Sequence, residues 1–447
     1  MRYVLRTDRD SGGALLYNTV TGQLTALDPA ETEALDALPS ADGSALAQLI
    51  ADHYLVPEGF DEHQQVKALR TILLRLRAAE EEGCKGITTY TILTTTACNA
   101  RCYYCFEQGA RTVTMTEQTA RDTAAFIASH CGPEKKVFLT WFGGEPTLTP
   151  DRIDQICLAL RQSGVSYEST LVTNGYLLDR DTVAKARDLW QLQYVQICVD
   201  GTEENHNRIK AYVNAADSPY QRVFRNTAYL LEAGVRVRLR MNFDLGNVRD
   251  FLPFVEEVTR RFARHPLLTV SAHPVVGTYR GPDGEIAHGS DEWFEKMIPE
   301  LTDIAEAAGL YHREMQLPGL NCRMCMAARD YAVTVTPEGF LTRCPEQFGE
   351  NQIVGSLREG IRNAPLAEDW KRIADSARCA ECALFPLCLS PVNCLTSGQC
   401  LYYSERIREL TRAMRWQELA HTDPVRGIIS GGETREISGT EDGICAH

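Results

Sequence analysis

The sequence has no long hydrophobic run and no excess of positive charge. No window of its 447 residues approaches the ~18 apolar residues that a membrane-spanning helix needs. The formal net charge is −14, which argues against duplex nucleic acid, because a phosphate-binding surface needs a basic excess. We therefore expect neither a membrane nor a nucleic acid among its partners.

A secretory signal is also missing from the start of the sequence. Residues 1–26 scatter arginine and aspartate and contain no apolar core of the kind that signal peptides carry. The expected location is the cytoplasm, where thiols stay reduced. The composition is otherwise that of an ordinary globular protein, with 44% hydrophobic and 24% charged residues.

Cysteine is abundant instead. Sixteen cysteines in a reducing compartment indicate metal ligands, redox groups or both. Most of them fall into two groups, one of three residues and one of eight: Cys98, Cys102 and Cys105, then Cys322, Cys325, Cys344, Cys379, Cys382, Cys388, Cys394 and Cys400. The others stand alone and are interpreted as small buried or incidental residues: Cys84, Cys131, Cys157, Cys198 and Cys445.

Residues 1–83 are predicted to form a small winged-helix-like α+β domain. Short strands are expected at Tyr3–Thr7, Ala14–Asn18 and Gln23–Leu27, with turns between them. A helix should begin at Pro29 with Asp28 as its cap, and further helices are expected at Ala45–Tyr54 and Asp61–Glu82.

Residues 84–315 alternate between strand and helix patterns. The expected strands are Tyr90–Thr94, Lys136–Trp141, Glu168–Thr173, Tyr194–Val199, Arg236–Asn242 and Leu268–Pro274. The expected helices are Thr116–Ser129, Pro150–Gln162, Asp179–Leu189, Tyr220–Ala233 and Val248–Phe262. This alternation predicts parallel βα units, and six of them fit an α/β fold with a partial (β/α)6 barrel better than an eightfold one.

The last third is divided into two parts. Residues 316–425 are rich in cysteine and contain short strand patterns, as at Tyr331–Thr336. Residues 426–447 are rich in Gly, Ser and charge and are expected to form a flexible tail.

The group of three cysteines follows the first barrel strand, at the end where barrels carry their chemistry. In Cys98-x3-Cys102-x2-Cys105, three thiolates can hold three corners of a cubane iron–sulfur cluster and leave one iron open. Structural zinc prefers four protein ligands, and no fourth cysteine follows nearby.

This loop resembles the signature of the radical S-adenosylmethionine (radical SAM) enzymes, and the resemblance continues along the barrel. Trp141–Pro146 contains Gly143-Gly144-Glu145, similar to the family's Gly-Gly-Glu motif, although a turn and a solvated charge are the plain alternative. The resemblance implies that these residues bind S-adenosylmethionine, with Glu145 accepting from its ammonium group. Thr173, Asn174 and Asp200 stand where the family has its fourth- and fifth-strand motifs. No catalytic residue is assigned.

The eight later cysteines resemble the SPASM extension of radical SAM enzymes, whereas two four-cysteine zinc sites are the alternative. The resemblance implies two auxiliary 4Fe–4S clusters, and so three in all. The first would take Cys322, Cys325, Cys344 and Cys394, and the second Cys379, Cys382, Cys388 and Cys400. Five residues separate Cys388 from Cys394, where the family usually has three.

The implied function is maturation of a ribosomally made precursor peptide. The first 83 residues resemble a peptide-recognition element, which would bind the leader peptide at a sheet edge. A carbon–sulfur (thioether) or carbon–carbon crosslink is expected, with a flavodoxin or ferredoxin as electron donor. Formylglycine formation, as by sulfatase maturases, peptide epimerisation and decarboxylation are the enzymatic alternatives. A zinc-binding peptide adaptor is the non-enzymatic one.

Overall fold

The computed structural model describes residues 1–39, 46–83, 86–215, 218–276, 288–313, 315–318, 325–394 and 400–422. Cys84, Cys322, Cys445 and the predicted tail 426–447 lie outside these residues, so their predictions stay untested. None of the helices in the described ranges combines the length and the apolarity that crossing a bilayer requires.

The chain begins with a three-stranded antiparallel sheet in the order β1-β2-β3. The elements are β1 Val4–Asp8, β2 Ala14–Asn18, β3 Leu24–Leu27, α1 Pro29–Asp36, α2 Ala47–Ala51 and α3 Glu62–Gly83. Asp28 caps α1 as predicted, because its carboxylate accepts from the Glu31 amide while Glu31 accepts from the Asp28 amide. Helix α2 is shorter than predicted, since His53 takes a left-handed conformation with φ of 61° soon after its end.

The middle strand of this sheet is buried on both faces. Leu16 packs with Leu35 and Leu49 on one side, while Tyr17 packs with Met414, from near the C-terminus, on the other. Both faces of the N-terminal sheet are therefore covered, and one of them by a helix from the end of the chain.

Six parallel strands form the centre of the molecule, as predicted. They are β4 Thr89–Thr95, β5 Lys136–Gly143, β6 Ser166–Thr173, β7 Leu192–Cys198, β8 Arg236–Phe243 and β9 Leu268–Pro274. Neighbours in sequence pair in parallel throughout. The helices beside them are α4 Glu117–His130, α5 Pro150–Gln162, α6 Arg180–Asp188, α7 Glu203–Lys210, α8 Pro219–Glu232, α9 Phe251–Phe262 and α10 Asp291–Ala307.

The sheet extends beyond the predicted six strands. The described residues add β10 Ala332–Val335, β11 Phe340–Thr342, β12 Gly355–Ser356 and β13 Gly360–Ile361 at the β4 edge. Strand β10 pairs in parallel with β4, which covers an edge that would otherwise expose backbone groups. The predicted α/β class with a partial barrel is confirmed, and its sheet continues into the cysteine-rich region.

The last described helices are α11 Ala364–Asp369 and α12 Tyr403–Thr422. Helix α12 is joined to α10 through Arg313, whose side chain is 1% exposed and pairs with Asp303, Glu306 and Glu405. Since α12 also packs on the N-terminal sheet, it links that sheet to the barrel.

Candidate functional site

The carboxyl ends of β4 to β9 surround a cavity of about 280 Å³. Parallel sheets place their ligands at this end. Cys98, Cys102 and Cys105 all line the cavity. Most of the predicted cofactor-binding residues line it as well, and these are Gly143, Gly144, Thr173 and Asn174.

The two glycines lie directly under the three-cysteine loop. Gly143 has φ of 117°, and a Cβ there would stand 2.4 Å from the carbonyl oxygen of Thr95. A Cβ on Gly144 would stand 2.3 Å from the carbonyl oxygen of Ala97, the residue before Cys98. Because these distances are shorter than any real contact, glycine is required here for packing against the loop backbone.

Glu145 is completely buried beneath this turn. Its Oε1 accepts from the Thr147 amide at 3.0 Å and from the Thr173 hydroxyl at 2.7 Å, and its Oε2 accepts from the Asn174 amide at 2.8 Å. Burial raises its pKa, while these hydrogen bonds oppose the rise. Both carboxylate oxygens therefore hold the ends of β5 and β6 together, and Glu145 lies outside the cavity lining.

Asn174 connects the end of β6 to the three-cysteine loop. Its Nδ2 donates to Asn99 Oδ1 at 2.7 Å, and it lies 3.9 Å from Cys98 Sγ. Among the described residues, the buried Nδ2 of Asn99 has no hydrogen-bond partner. The predicted residues of β5 and β6 thus meet the loop of Cys98 in one place.

Residues 92–256 match the family model described as the radical SAM superfamily. The chain contains a radical SAM domain. The prediction of a radical SAM enzyme is thereby confirmed, while the residue roles and the extension stay predictions.

Solved structures give the same fold. The chain is similar to native anSMEcpe with bound AdoMet and Cp18Cys peptide, at a TM-score of 0.56 and 15% identity, over 75% of this chain and 100% of that chain. It is also similar to SuiB from Streptococcus suis bound to S-adenosylmethionine, at a TM-score of 0.51 and 14% identity, over 87% of this chain and 94% of that chain. SuiB bound to the precursor peptide SuiA is similar as well, at a TM-score of 0.50 and 13% identity, over 87% of this chain and 94% of that chain.

Asp200, the last predicted cofactor residue, lies behind the cavity of the radical SAM domain. It is fully buried, and its Oδ2 accepts from the Tyr104 hydroxyl at 2.7 Å and pairs with Lys210 Nζ at 3.1 Å. Lys210 Nζ also donates to the Tyr104 hydroxyl at 2.9 Å. Burial is the largest single influence and lowers the Lys210 pKa, but Asp200 together with Cys102, Tyr104 and Cys198 outweighs it, so the pKa of Lys210 is raised.

Thiolates are the ligands that iron–sulfur clusters take, so the three thiols of the radical SAM domain fit such a cluster. In the described part of the chain, no group of three or more His, Cys, Asp or Glu side chains is arranged to hold one metal ion. A cubane instead spreads its thiolate ligands over separate iron atoms. Burial raises the pKa of Cys98, Cys102 and Cys105 to about 11, so binding of iron has to release their protons.

The later cysteines form two neighbourhoods. Cys344 is buried and lies within electrostatic range of Cys325 and Cys394. The other neighbourhood consists of Cys379, Cys382, Cys388 and Cys400. The structure thus groups the described residues as the predicted ligand sets do, and Cys322 lies outside the described residues.

Sequence reasoning missed several residues that line the cavity of the radical SAM domain: Glu107, Cys198, Lys210, Arg240, Asn242, His273 and Glu346. Cys198 lines the cavity because the end of β7 opens into it, and its interpretation as a small buried or incidental residue stays a prediction. Cys131 and Cys157 are buried in the core, as predicted. Only the spacing of His206 and Lys210, one helical turn apart, could have indicated that α7 faces inward.

Proposed function

We propose that this chain is a radical SAM maturase that forms a thioether or carbon–carbon crosslink in a ribosomally synthesised precursor peptide. One observation carries the proposal. Pro345 and Glu346, directly after Cys344, line the same cavity as Cys98, Cys102 and Cys105. A peptide held there would lie between the loop of three cysteines and the first group of later cysteines.

The residues around the loop would bind the cofactors. Cys98, Cys102 and Cys105 would ligate a 4Fe–4S cluster with one open iron, and Gly143, Gly144, Thr173 and Asn174 would bind S-adenosylmethionine. Glu145 and Asp200 would position this set from beneath, since their carboxylates already hold the neighbouring loops. When bound, these cofactors supply a 5′-deoxyadenosyl radical that removes a hydrogen atom from the substrate.

The later cysteines would hold two auxiliary 4Fe–4S clusters. The first set is Cys322, Cys325, Cys344 and Cys394, and the second is Cys379, Cys382, Cys388 and Cys400. The two neighbourhoods in the structure support this division. If Cys322 is not a ligand, the other three cysteines of the first set would leave one iron open for a substrate thiolate or heteroatom.

A precursor peptide is the proposed substrate. Strands β1 and β3 each pair only with β2 among the described residues, so the N-terminal sheet offers edges to which a leader peptide can add a strand. Two solved structures of similar fold hold the Cp18Cys peptide and the precursor peptide SuiA, which supports a peptide here too. A flavodoxin or ferredoxin would supply the electron.

Formylglycine formation is the second candidate, and Glu346 favours it. Sulfatase maturases carry a carboxylate directly after the cysteine equivalent to Cys344, whereas here Pro345 intervenes. The structure nevertheless brings Glu346 to the cavity, where it is available to accept a substrate proton. Formylglycine made from cysteine replaces the sulfur with an aldehyde oxygen, so its mass differs from that of a crosslink. Formylglycine made from serine also loses two hydrogens, and labelling with an aldehyde-specific reagent separates it from a crosslink.

The test is anaerobic reconstitution followed by turnover of a candidate precursor encoded beside this gene. We expect about twelve iron atoms per chain for three cubane clusters. With S-adenosylmethionine and dithionite, deoxyadenosine should form and the peptide should lose two hydrogens by mass spectrometry. Cys98→Ala should abolish both, whereas Cys157→Ala should keep them, because Cys157 is a core residue.

Two outcomes count against the proposal in different ways. A colourless protein with about two zinc ions and no deoxyadenosine would identify a zinc-binding adaptor. Deoxyadenosine without a change in peptide mass would exclude crosslinking and point to epimerisation.

A further inference from the structure

One carboxyl oxygen beside the cavity has no hydrogen-bond partner among the described residues. Glu107 lies two residues after Cys105, lines the cavity and is 9% exposed. Its Oε1 is buried and makes no hydrogen bond. Buried carboxylates are costly unless they are paired, so a buried carboxyl oxygen without a partner beside a cavity indicates a ligand with donors.

A second carboxylate lines the same cavity from another part of the chain. Glu346 lies beyond Cys344 and is half-buried. Between these two segments lies an aromatic group, in which the Phe106 ring stacks on Phe142 at 6.1 Å and meets Phe348 edge-on at 6.4 Å. This wall combines two carboxyl groups with aromatic faces, and both attract a cation on an apolar stem.

The cations of the cavity lining are engaged elsewhere. Lys210 Nζ pairs with Asp200 at 3.1 Å, and Arg240 Nε donates to Asn242 Oδ1 at 2.9 Å. The whole chain carries a net charge of −14, which steers positively charged ligands towards it. Among the described residues, neither cation of the cavity lining is therefore left to match the Glu107 carboxyl group.

We propose that the wall formed by Glu107, Glu346 and the Phe106–Phe142–Phe348 group binds a lysine or arginine side chain of the peptide, next to the residue that reacts. The inference rests on the proposed function, which supplies the peptide substrate. It adds the requirement that this peptide carries a lysine or arginine next to the reacting residue. The aliphatic stem would lie on the aromatic rings while the charged head donates to Glu107 Oε1.

The first test uses the wild-type holoenzyme with bound S-adenosylmethionine. Two nonapeptides are compared by anaerobic calorimetry, Gly-Ser-Gly-Phe-Lys-Phe-Gly-Ser-Gly and the same peptide with norleucine in place of Lys. We expect the lysine peptide to bind about tenfold more tightly, as one charge-assisted hydrogen bond allows. High salt should reduce this ratio. Equal binding, or binding of neither peptide, overturns the proposal.

Variants of the wall residues then show which side chain is responsible for the preference for the lysine peptide. Glu107→Gln keeps the shape and removes the charge, so the preference should fall to about twofold or less, and Glu107→Asp should restore part of it. Glu346→Gln should reduce it to a lesser extent, while Glu134→Gln, at an exposed site, should leave it intact. Iron content and circular dichroism show whether each variant is folded. A preference that survives in folded Glu107→Gln contradicts the inference.

The outcome is separate from that of the proposed function. The affinity ratio needs no turnover, whereas crosslinking is scored by deoxyadenosine and peptide mass. Glu107 could instead serve S-adenosylmethionine, whose sulfonium is also a cation. In that case Glu107→Gln would weaken cofactor binding and leave the peptide ratio unchanged, which overturns the inference without touching the proposed reaction.

Discussion

The Tyr104 hydroxyl donates a hydrogen bond to Asp200 at 2.7 Å, which joins the three-cysteine loop to the end of β7. Tyr104 stands between Cys102 and Cys105, so this bond fixes the loop from below. Lys210 completes the arrangement by contacting both groups, and Asn242 Nδ2 donates to the same hydroxyl at 3.1 Å. The position of the thiols thus depends on a buried ion pair that lies behind the cavity.

Lys210→Met should strongly destabilise the fold. Lys210 is 3% exposed and Asp200 is fully buried, so the variant leaves a carboxylate without its counter-ion. Breaking such a pair costs about 3–5 kcal/mol. Urea denaturation of the apoprotein gives the free energy of unfolding. The control Lys185→Met breaks an exposed pair with Asp154 and should cost less than about 1 kcal/mol. Similar costs for both variants would show that the buried pair contributes little.

The barrel could be predicted from sequence because its signal is local. Each of the six strands is a short segment rich in β-branched, aromatic or alternating apolar residues between helical patterns, and the structure has all six within two residues of the predicted bounds. The pairing of β10 with β4 could not be predicted, because it joins segments far apart in the chain and leaves no periodic pattern. Helix α7 was also missed, since it is short and polar.

The site was partly predictable for the same reason. Spacing alone indicated Cys98, Cys102 and Cys105, which lie in one loop. Glu107 and Cys198 reach the cavity only through the packing of loops and strands, and Lys210 is marked in the sequence only by its spacing from His206. The hydrogen bonds of Glu145 could not be predicted from sequence either. Its oxygens accept from Thr173 and Asn174 at the end of β6, and these contacts depend on how β5 and β6 pack together.

Gly144→Ala should displace the three-cysteine loop. The added Cβ would stand 2.3 Å from the Ala97 carbonyl oxygen, which belongs to backbone and cannot rotate away. Such overpacking costs about 1–3 kcal/mol. We expect the iron bound after reconstitution to fall from about twelve to about eight atoms per chain. Gly349→Ala is the control, because its Cβ would meet only the Asn351 side chain at 3.1 Å. Full iron content in the Gly144 variant would refute the expectation.

Arg70→Met should loosen the second group of later cysteines. Arg70 is 5% exposed, donates to the Cys388 carbonyl oxygen at 2.6 Å and lies 3.9 Å from the centre of the Phe385 ring. Removing the donor leaves that carbonyl without this bond, which costs about 1–3 kcal/mol. We expect iron to be lost from this group first, as followed by iron content during mild chelation. Arg75→Met, at an exposed site of the same helix, should change neither the free energy of unfolding nor the rate of iron loss. Equal iron loss in both variants would exclude a role for the contact.

His206→Leu should reduce the loss of stability in acid. His206 is fully buried, its Nδ1 accepts from the Asp200 amide at 3.3 Å, and burial holds its pKa well below the usual value. Below about pH 6.5 the unfolded chain therefore binds a proton that the folded chain does not, and stability falls as pH falls, by up to about 1.4 kcal/mol per unit. Leucine removes this dependence of stability on pH, while it adds a constant cost for the lost hydrogen bond.

Denaturation at pH 7 and pH 5 measures how much stability each protein loses in acid. The control His312→Leu, at an exposed site, should lose as much as the wild type. Parallel curves for wild type and His206→Leu would show that His206 is protonated in the folded protein without penalty.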